Sequence, residues 1–516
     1  MKVTYVTMAG NEEAHAAYES GLQAVRARLG DTHSNFIGGV PVPWTGPVFE
    51  DRSPTDPSIL VGRFPLAGAE MVARALEAAR AAYPAWSGMP WKERLGMLRA
   101  AAERISAESA QLAALMSIEV GKNRLEAFGD AEESADLIRY YCDQVEQAGG
   151  FVKPLGKLLP GEETCSVLRP FGVWGVISPF NFPMALPAGM AGGALAAGNT
   201  VVFKPASDGA LTGLRLCEAL TAAGVPPGVF NLVTGSGEAL GVAFLEAGFD
   251  GLVFTGSKKV GLDLMGRFWR EYPKPVIVEM GGKNPAVVTA RADLAKAASG
   301  VARSAFGYGG QKCSACSRAY VEAPVYDEFL EALVSTARGL KVGDPALRGT
   351  YMGPLITASA VATYRRAVEE ARRDGRVLIG GEDAADAIPG GHFVTPAVVD
   401  RLPEGHRLLS DELFVPLVCV VKVASLDEAI RKANRTEYGL TAGVFSEDES
   451  EVQAFFDRVE AGVLYANRHT GATTGAWPGV QSFCGWKASG STGKGACGPY
   501  YVQQFMREQS RTIVRS

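Results

Sequence analysis

Three side chains in this sequence stand in settings suited to chemistry: a thiol, a carboxyl and a primary amide. The thiol is Cys313, in "GYGGQKCSACSR" (307–318), behind a glycine-rich turn and three residues ahead of Cys316. Four roles compete for it: nucleophile, redox partner of Cys316, metal ligand or small core residue. A metal centre needs three or four clustered ligands, and the chain has 5 histidines, none close to Cys313 in sequence. A redox pair of C-x-x-C type calls for a different context from a Gly-Gly-Gln turn. A thiolate nucleophile is the sharper reading, because backbone N–H groups at a loop–helix junction lower a thiol's pKa.

The carboxyl is Glu279, in "VEMGGKNPAVV" (278–288), between Val278 and Met280 and beside a Gly-Gly turn. Partial desolvation would make it a base near neutral pH; a surface acid or an ion pair with Lys283 is the plainer alternative. The amide is Asn181, in "SPFNFP" (178–183). A buried Asn needs partners, so it either caps a turn or points its N–H₂ at a developing oxyanion. In "VFTGSKKVG" (253–261), Thr255, Gly256 and Ser257 mark a strand giving way to a helix. Free N–H groups at a helix start suit a phosphate, and Ser257 as a simple N-cap fits equally.

The elements that must position these groups are legible in the hydrophobic pattern. Residues 68–148 carry apolar residues at three- and four-residue spacing and read as helices. Beyond them, "VWGVISPF", "TVVFKPA", "GVFNLVTGSG" and "DGLVFTGS" are short unalternating runs separated by helical segments. That texture predicts a parallel sheet covered on both faces, a doubly wound nucleotide-binding region over about residues 170–270. Residues 170–203 hold no charged side chain, but their prolines and glycines rule out a membrane-spanning helix. A buried strand, a turn, a buried Ala/Gly-rich helix and another strand fit better. A second α/β section follows, with strands at "PAVVTA", "SRAYVEA", "RVLIGG", "VCVVKVA", "TAGVFS" and "GVLYAN". The C-terminal "EQSRTIVRS" has strand character and no evident partner within the chain.

With 516 residues the chain exceeds one ordinary core, and a net charge of −5 gives no reason to expect nucleic acid or an anionic membrane as partner. Eight scattered cysteines and an N-terminus without a signal-peptide core point to a reducing, cytoplasmic compartment.

In chain order, SPFNFP, FTGSKKVG, VEMGGKN and GGQKCSACSR resemble the aldehyde dehydrogenase superfamily. The likeness continues through "DELFVP" (411–416), "ANRTEYGLTAGVFS" (433–446) and "VQSFCGWKASG" (480–490). It implies an α/β fold: a five-stranded Rossmann-like cofactor domain (1–150 and 170–283), a catalytic domain (284–490) and a small β arm (151–169 and 491–516). The arm would extend a neighbouring subunit's sheet, giving a homodimer or larger homo-oligomer. The implied roles are Cys313 as nucleophile, Asn181 with the Cys313 N–H as oxyanion donors, and Glu279 as the base that hydrolyses the thioester. The implied cofactor is NAD or NADP, with no metal. Ile177, Ser178, Pro179 and Phe180 would line its site, with Lys204 and Ser207 at the adenosine ribose. Gly256 and Ser257 would take the pyrophosphate, Glu412 and Phe414 the nicotinamide ribose, and Thr255 and Gly281 would belong to the same cofactor site. Relatives that prefer NAD often carry glutamate where Ser207 stands, so NADP should be tolerated. Val415 replaces the usual glycine of E-x-F-G-P.

Within the superfamily, "GQKCSA" and "NR…TGA…GVQ" resemble the Δ¹-pyrroline-5-carboxylate dehydrogenases, which oxidise glutamate γ-semialdehyde to glutamate in proline catabolism. The resemblance implies a carboxylate cradle at Ser314 and a Gly-Ala pair, Gly475 and Ala476 by the spacing to "GVQ" or Gly471 and Ala472 by the spacing to "NR", with an aromatic wall at Phe182, and Glu126 as partner for an α-ammonium, against the plainer reading of a solvated helix acid. The alternatives are an aldehyde dehydrogenase for another semialdehyde or aliphatic aldehyde, a silent relative, and a cysteine hydrolase, for which no histidine base is in place.

Overall fold

The charge-free stretch folds as strand Val173–Ile177, helix Ala185–Ala197 and strand Thr200–Lys204. The structure is a computed structural model that describes residues 10–268, 272–382, 384, 388–470, 474 and 476–515. Both strands are buried along their whole length, which is why they carry no polar alternation. The helix is small-residue-rich because its neighbours come close: a Cβ on Gly193 would lie 2.8 Å from the Phe505 ring. It ends on Gly198 at φ +98°, a left-handed cap that glycine adopts without strain.

These two strands are the middle of a seven-stranded sheet. Its order is Val276–Met280, Gly251–Gly256, Val173–Ile177, Thr200–Lys204, Phe230–Leu232, Asn35–Ile37, Val40–Val42. The first five strands are parallel, and the last two are antiparallel additions. Strand order reverses on either side of Val173–Ile177, which opens a crevice at the carboxyl ends of the strands. The register puts Ile177 opposite Lys204 and Phe254, and Thr255 opposite Glu279. All four strands therefore finish on one rim. Helices Trp91–Ala107, Ser109–Glu119 and Arg124–Gln147 contribute to the core cluster around Trp174 and Phe203.

A second sheet of seven strands runs Arg376–Ile379, Ala397–Asp400, Leu417–Val423, Cys316–Glu322, Asn284–Val288, Thr441–Phe445, Val463–Ala466. All its pairings are parallel except the first. Three of its strands begin just after Gly282, Cys313 and Glu412. The carboxyl ends of the first sheet thus face the amino ends of the second, and the candidate chemistry lies between them.

Three expectations need correction. The C-terminal strand, Met506–Val514, has a partner within the chain: it pairs antiparallel with Glu162–Pro170 over nine residues, and Val152–Pro154 completes a three-stranded sheet. Residues 491–505 do not run with that arm. Ser491 is tied to the edge strand at Val276 and Val278, and Tyr501, Val502 and Phe505 are buried in the main core. No helix begins near Cys313, since Cys316 opens a strand. Among the described residues, no helix is long and apolar enough to cross a membrane.

Candidate active site

The loop that carries Cys313 is fixed on every side before any ligand is considered. It follows three successive residues with positive φ, Tyr308, Gly309 and Gly310. Gly310 has a second reason to lack a side chain: its Cβ would lie 2.5 Å from the Val415 carbonyl. The Gln311 side chain donates to Tyr308 O and Pro354 O and accepts from Ile356 N at 2.8 Å. Asn284 donates to Cys313 O at 2.7 Å and Ala315 O at 2.9 Å while accepting from Thr441 N. Buried Ser314 has its carbonyl held by Thr441 Oγ1 at 3.3 Å. Cys316 is a core residue whose sulfur donates to Arg318 O at 3.5 Å.

Cys313 Sγ lies 3.9 Å from Glu279 Oε1. Burial is the main cause pushing the Cys313 thiol well above its ordinary value, and the negative charges of Glu279 and Glu412 add to it. The N–H groups of Ser314 and of Cys313 itself pull the other way. Those N–H groups come from a loop–strand junction, and they temper the shift without reversing it. Burial likewise lifts Glu279 to about 8, with the charge of Glu133 adding and the Cys313 thiol opposing. Glu279 is half-buried with its carboxyl toward the Cys313 sulfur, and among the described residues it forms no ion pair with Lys283, so the surface-acid and ion-pair readings both fail.

The Gly281–Gly282 turn after Glu279 is shaped for its neighbours. A Cβ on Gly281 would overlap the Glu412 carboxylate, and one on Gly282 would lie 2.5 Å from Cys313 O. Glu412 accepts from Gly282 N at 2.8 Å, and burial lifts it to about 7. Phe414, at φ +60°, sits edge-on to Phe180 at 6.1 Å between ring centroids. This contact joins the 178–183 loop to the Glu412 segment. Ile177, Ser178, Lys204 and Thr255 are buried on the same rim, and Ser178 N donates to Lys204 O. Burial pushes Lys204 down to about 8, with Asp208 opposing, and its ammonium donates to Pro205 O at 2.8 Å. Ser207 Oγ donates to Gly235 O. Ser257 caps helix Lys258–Arg267, so the turn reading of that junction is what the structure displays, and the helix start faces the rim. A lysine, a helix start and a carboxylate backed by a glycine pair are a donor set that fits a dinucleotide.

Asn181 is 3 % exposed in the same loop. Its neighbour Phe182 lies under Lys122, whose ammonium is 3.6 Å from the ring centroid. Lys122 pairs with Asp130 at 2.5 Å, both side chains fully buried, and the other Asp130 oxygen accepts from Ala185 N at 2.7 Å. This pair fixes the start of helix Ala185–Ala197 and thereby the loop before it. Removing either partner leaves an uncompensated buried charge. Lys122→Met and Asp130→Asn should each cost about 3–5 kcal/mol in denaturant unfolding. In a double-mutant cycle the pair should cost less than the sum of the two singles.

Glu126 is not a solvated helix acid. It is buried and pairs with Lys312 at 2.5 Å, so its charge is committed to the residue before Cys313. The structure brings a different acid toward the site. Glu133 is half-buried and lifted to about 8, first by burial and then by Asp130, with Lys122 and Lys312 opposing. Its charge in turn raises Glu279. The sequence shows the spacing, with Glu126, Asp130 and Glu133 at i, i+4 and i+7 on one face of helix Arg124–Gln147, but not which of its acids turn inward. Gly471, Ala472 and Gly475 lie outside the described residues. Ala476 N donates to Thr474 Oγ1, and Trp477 Nε1 donates to Asp136 Oδ2 at 2.8 Å, which sets this segment against the helix one turn from Glu133.

Residues 44–510 match the family model described as "Aldehyde dehydrogenase family". The chain belongs to the aldehyde dehydrogenase family. It is an enzyme of this NAD(P)-dependent class. A 1-pyrroline-5-carboxylate dehydrogenase of Geobacillus sp. (strain WCH70) is 36% identical over 508 residues, covering 97% of this chain and 96% of that protein. The structure of the 1-pyrroline-5-carboxylate dehydrogenase from Thermus with bound NAD is similar at a TM-score of 0.93 and 34% identity, covering 98% of this chain and 97% of that one. Proline utilization A from Bdellovibrio bacteriovorus is similar at a TM-score of 0.92 and 35% identity, and this chain spans 52% of its length.

Proposed function

We propose that the chain oxidises glutamate γ-semialdehyde, the open form of Δ¹-pyrroline-5-carboxylate, to glutamate. The observation that carries the mechanism is the 3.9 Å approach of Cys313 Sγ to Glu279 Oε1 at the meeting of the two sheets. The Cys313 thiol gives up its proton to solvent and adds through sulfur, as the thiolate, to the aldehyde carbon. The oxyanion that forms is held by the Asn181 amide and the Cys313 N–H. Lys204, Ser257, Glu412 and Phe414 would hold NAD(P), which would supply the hydride acceptor. Loss of the hydride leaves a thioester on Cys313. Glu279 then takes a proton from the water that cleaves it, and the thiolate is released.

The substrate reading rests on the likeness to 1-pyrroline-5-carboxylate dehydrogenases over nearly the whole chain, together with the groups around Cys313. Ser314 and Ala476 serve the α-carboxylate, Phe182 is the aromatic wall, and Glu133 replaces Glu126 as partner for the α-ammonium. The test is kcat/KM with glutamate γ-semialdehyde against succinate semialdehyde. Preference for the former upholds the reading, and equal or reversed rates overturn it.

The structure carries no carboxylate at position 207 to repel a 2′-phosphate. NAD and NADP should therefore differ in kcat/KM by less than about a hundredfold, some 2.7 kcal/mol. Ser207→Glu should raise KM for NADP by at least about tenfold through like-charge contact. A wild-type ratio beyond a hundredfold in favour of NAD would refute this. Among the described residues the exposed strand Met506–Val514 pairs on one side only, and that open edge supports a homo-oligomer built through the arm. All eight cysteines are free, which suits a reducing, cytoplasmic setting.

A further inference from the structure

The second sheet carries two separate apolar clusters, one under helix Ala358–Asp374 and one under helix Leu426–Asn434. A cavity of about 650 Å³ borders both: Leu402 and Leu409 of the first cluster line it, and Tyr320 and Val421 of the second. Small-molecule sites run to roughly 300–1,000 Å³. In a chain of net charge −5 the charged lining here is mostly cationic, with five Lys and Arg side chains against two carboxylates. Both carboxylates are engaged. Glu404 pairs with Arg435 at 2.7 Å and with Lys432 at 3.6 Å, and Asp327 lies 3.9 Å from Lys422. Arg318 and Arg401 line the same cavity, and among the described residues neither forms an ion pair. Arg318 is 1 % exposed. It donates to Tyr320 Oη at 3.1 Å, to Lys283 O and to Ala433 O at 3.2 Å, and its Nε has no acceptor among the described residues. A buried guanidinium without a counter-charge is costly, and an anion in the cavity offsets that cost.

We infer that this cavity binds a small phosphate-bearing anion as an effector. None of the residues assigned to the coenzyme lines it, so the site is separate from the dinucleotide rim. Phosphate suits it because a guanidinium grips two oxygens at once, and Arg318 and Arg401 hold no carboxylate that competes. Arg401, Lys422 and Arg435 are exposed at the mouth, where they draw an anion in, and Arg318 is the buried charge behind them. Leu402, Leu409 and Val421 leave an apolar wall for an organic part joined to the phosphate. Two segments lead from the cavity to the catalytic centre. Lys283, whose carbonyl Arg318 holds, follows the Gly281–Gly282 turn after Glu279. Ser410 lines the cavity two residues before Glu412, and Glu412 accepts from Gly282 N at 2.8 Å. Both routes end at Gly282, which packs so closely on Cys313 O that a Cβ would lie 2.5 Å from it. An anion that moves Arg318 or the 401–410 segment therefore bears on the turn between Glu279 and Cys313.

The test titrates inorganic pyrophosphate and, separately, adenosine diphosphate into enzyme saturated with NADH, which keeps both probes off the coenzyme site, and follows the heat of binding. The expected result is saturable binding with Kd below about 1 mM. Arg401→Glu should weaken it by at least about tenfold and Arg401→Lys should retain most of it, with Tm unchanged in both. At saturating coenzyme the bound anion should shift kcat or KM for the aldehyde by at least about twofold in wild type and leave Arg401→Glu unmoved. Without anion, Arg401→Glu should turn over at the wild-type rate. Arg435→Glu makes the same charge reversal from the helix side and decides the matter if Arg401→Glu does not fold. Tighter binding of adenosine diphosphate than of pyrophosphate upholds the organic part of the ligand, and equal or weaker binding overturns it in favour of free phosphate. No saturable binding to wild type up to about 10 mM, or undiminished binding in the folded charge-reversal variants, overturns the site. Binding that leaves kcat and KM unchanged overturns its action on the turn.

Discussion

A Cys313→Ala chain is expected to bind coenzyme and reduce none of it. The groups assigned to the dinucleotide lie on the rim of the first sheet and in the 412–414 segment. The truncation removes only the sulfur. Turnover should fall by at least about 10⁴-fold, the scale on which loss of a covalent nucleophile is felt. That is about 5.5 kcal/mol of transition-state stabilisation. Coenzyme binding followed by fluorescence should be unchanged, which separates a chemical lesion from a folding one. Residual activity above about one per cent of wild type would point to another thiol. Two are close in sequence or space. Cys316 is a poor substitute, because it is buried among apolar side chains with its S–H committed to a carbonyl, and burial pushes it up to about 12. Cys484 is half-buried and within electrostatic reach of Glu279, so it is the sulfur to test next.

The sequence was most readable where one physical demand dominated. A stretch without charge, broken by glycine and proline, had to be a buried strand, helix and strand, and it is. The motifs around Cys313 and Glu279 were visible as ordered strings of small and polar residues. Their mutual approach was not, because it depends on two sheets meeting end to end. Glu133 was missed for a related reason. On helix Arg124–Gln147 acids fall on more than one face, so charge pattern alone does not separate the solvated ones from those turned inward. Only the packing of that helix against Ala185–Ala197 turns Glu126 and Asp130 to the interior and leaves Glu133 half-buried. Glu126 then reaches Lys312 because the Cys313 loop passes beneath it. The C-terminal strand went unpartnered in sequence because its mate, Glu162–Pro170, lies more than three hundred residues earlier, and nearly all its side chains are exposed, so no burial pattern fixes the register.

A Glu279→Gln chain is expected to take up its hydride once and then stall. Addition of the thiolate and departure of the hydride use Cys313 and the oxyanion donors, so a burst of about one NAD(P)H per subunit should survive. Hydrolysis of the thioester needs a base, and glutamine offers none. The steady-state rate should drop by about 10²–10⁴-fold, the usual range for a positioned general base. The wild-type rate should climb as pH rises through about 8, where the Glu279 carboxyl ionises, and the variant should lose that limb. Stability should move the opposite way. Burial raises the Glu279 pKa on folding, so between the ordinary carboxylate range and about 8 the folded chain holds a proton that the unfolded chain has released. Stability therefore falls as pH rises across that window. Glutamine has no proton to lose, so Glu279→Gln should resist denaturant better than wild type on the alkaline side while being nearly inactive. Equal denaturation midpoints above pH 8 would mean that the carboxylate is well solvated. A half-buried acid kept beside a thiol would then have to be explained by something other than its basicity.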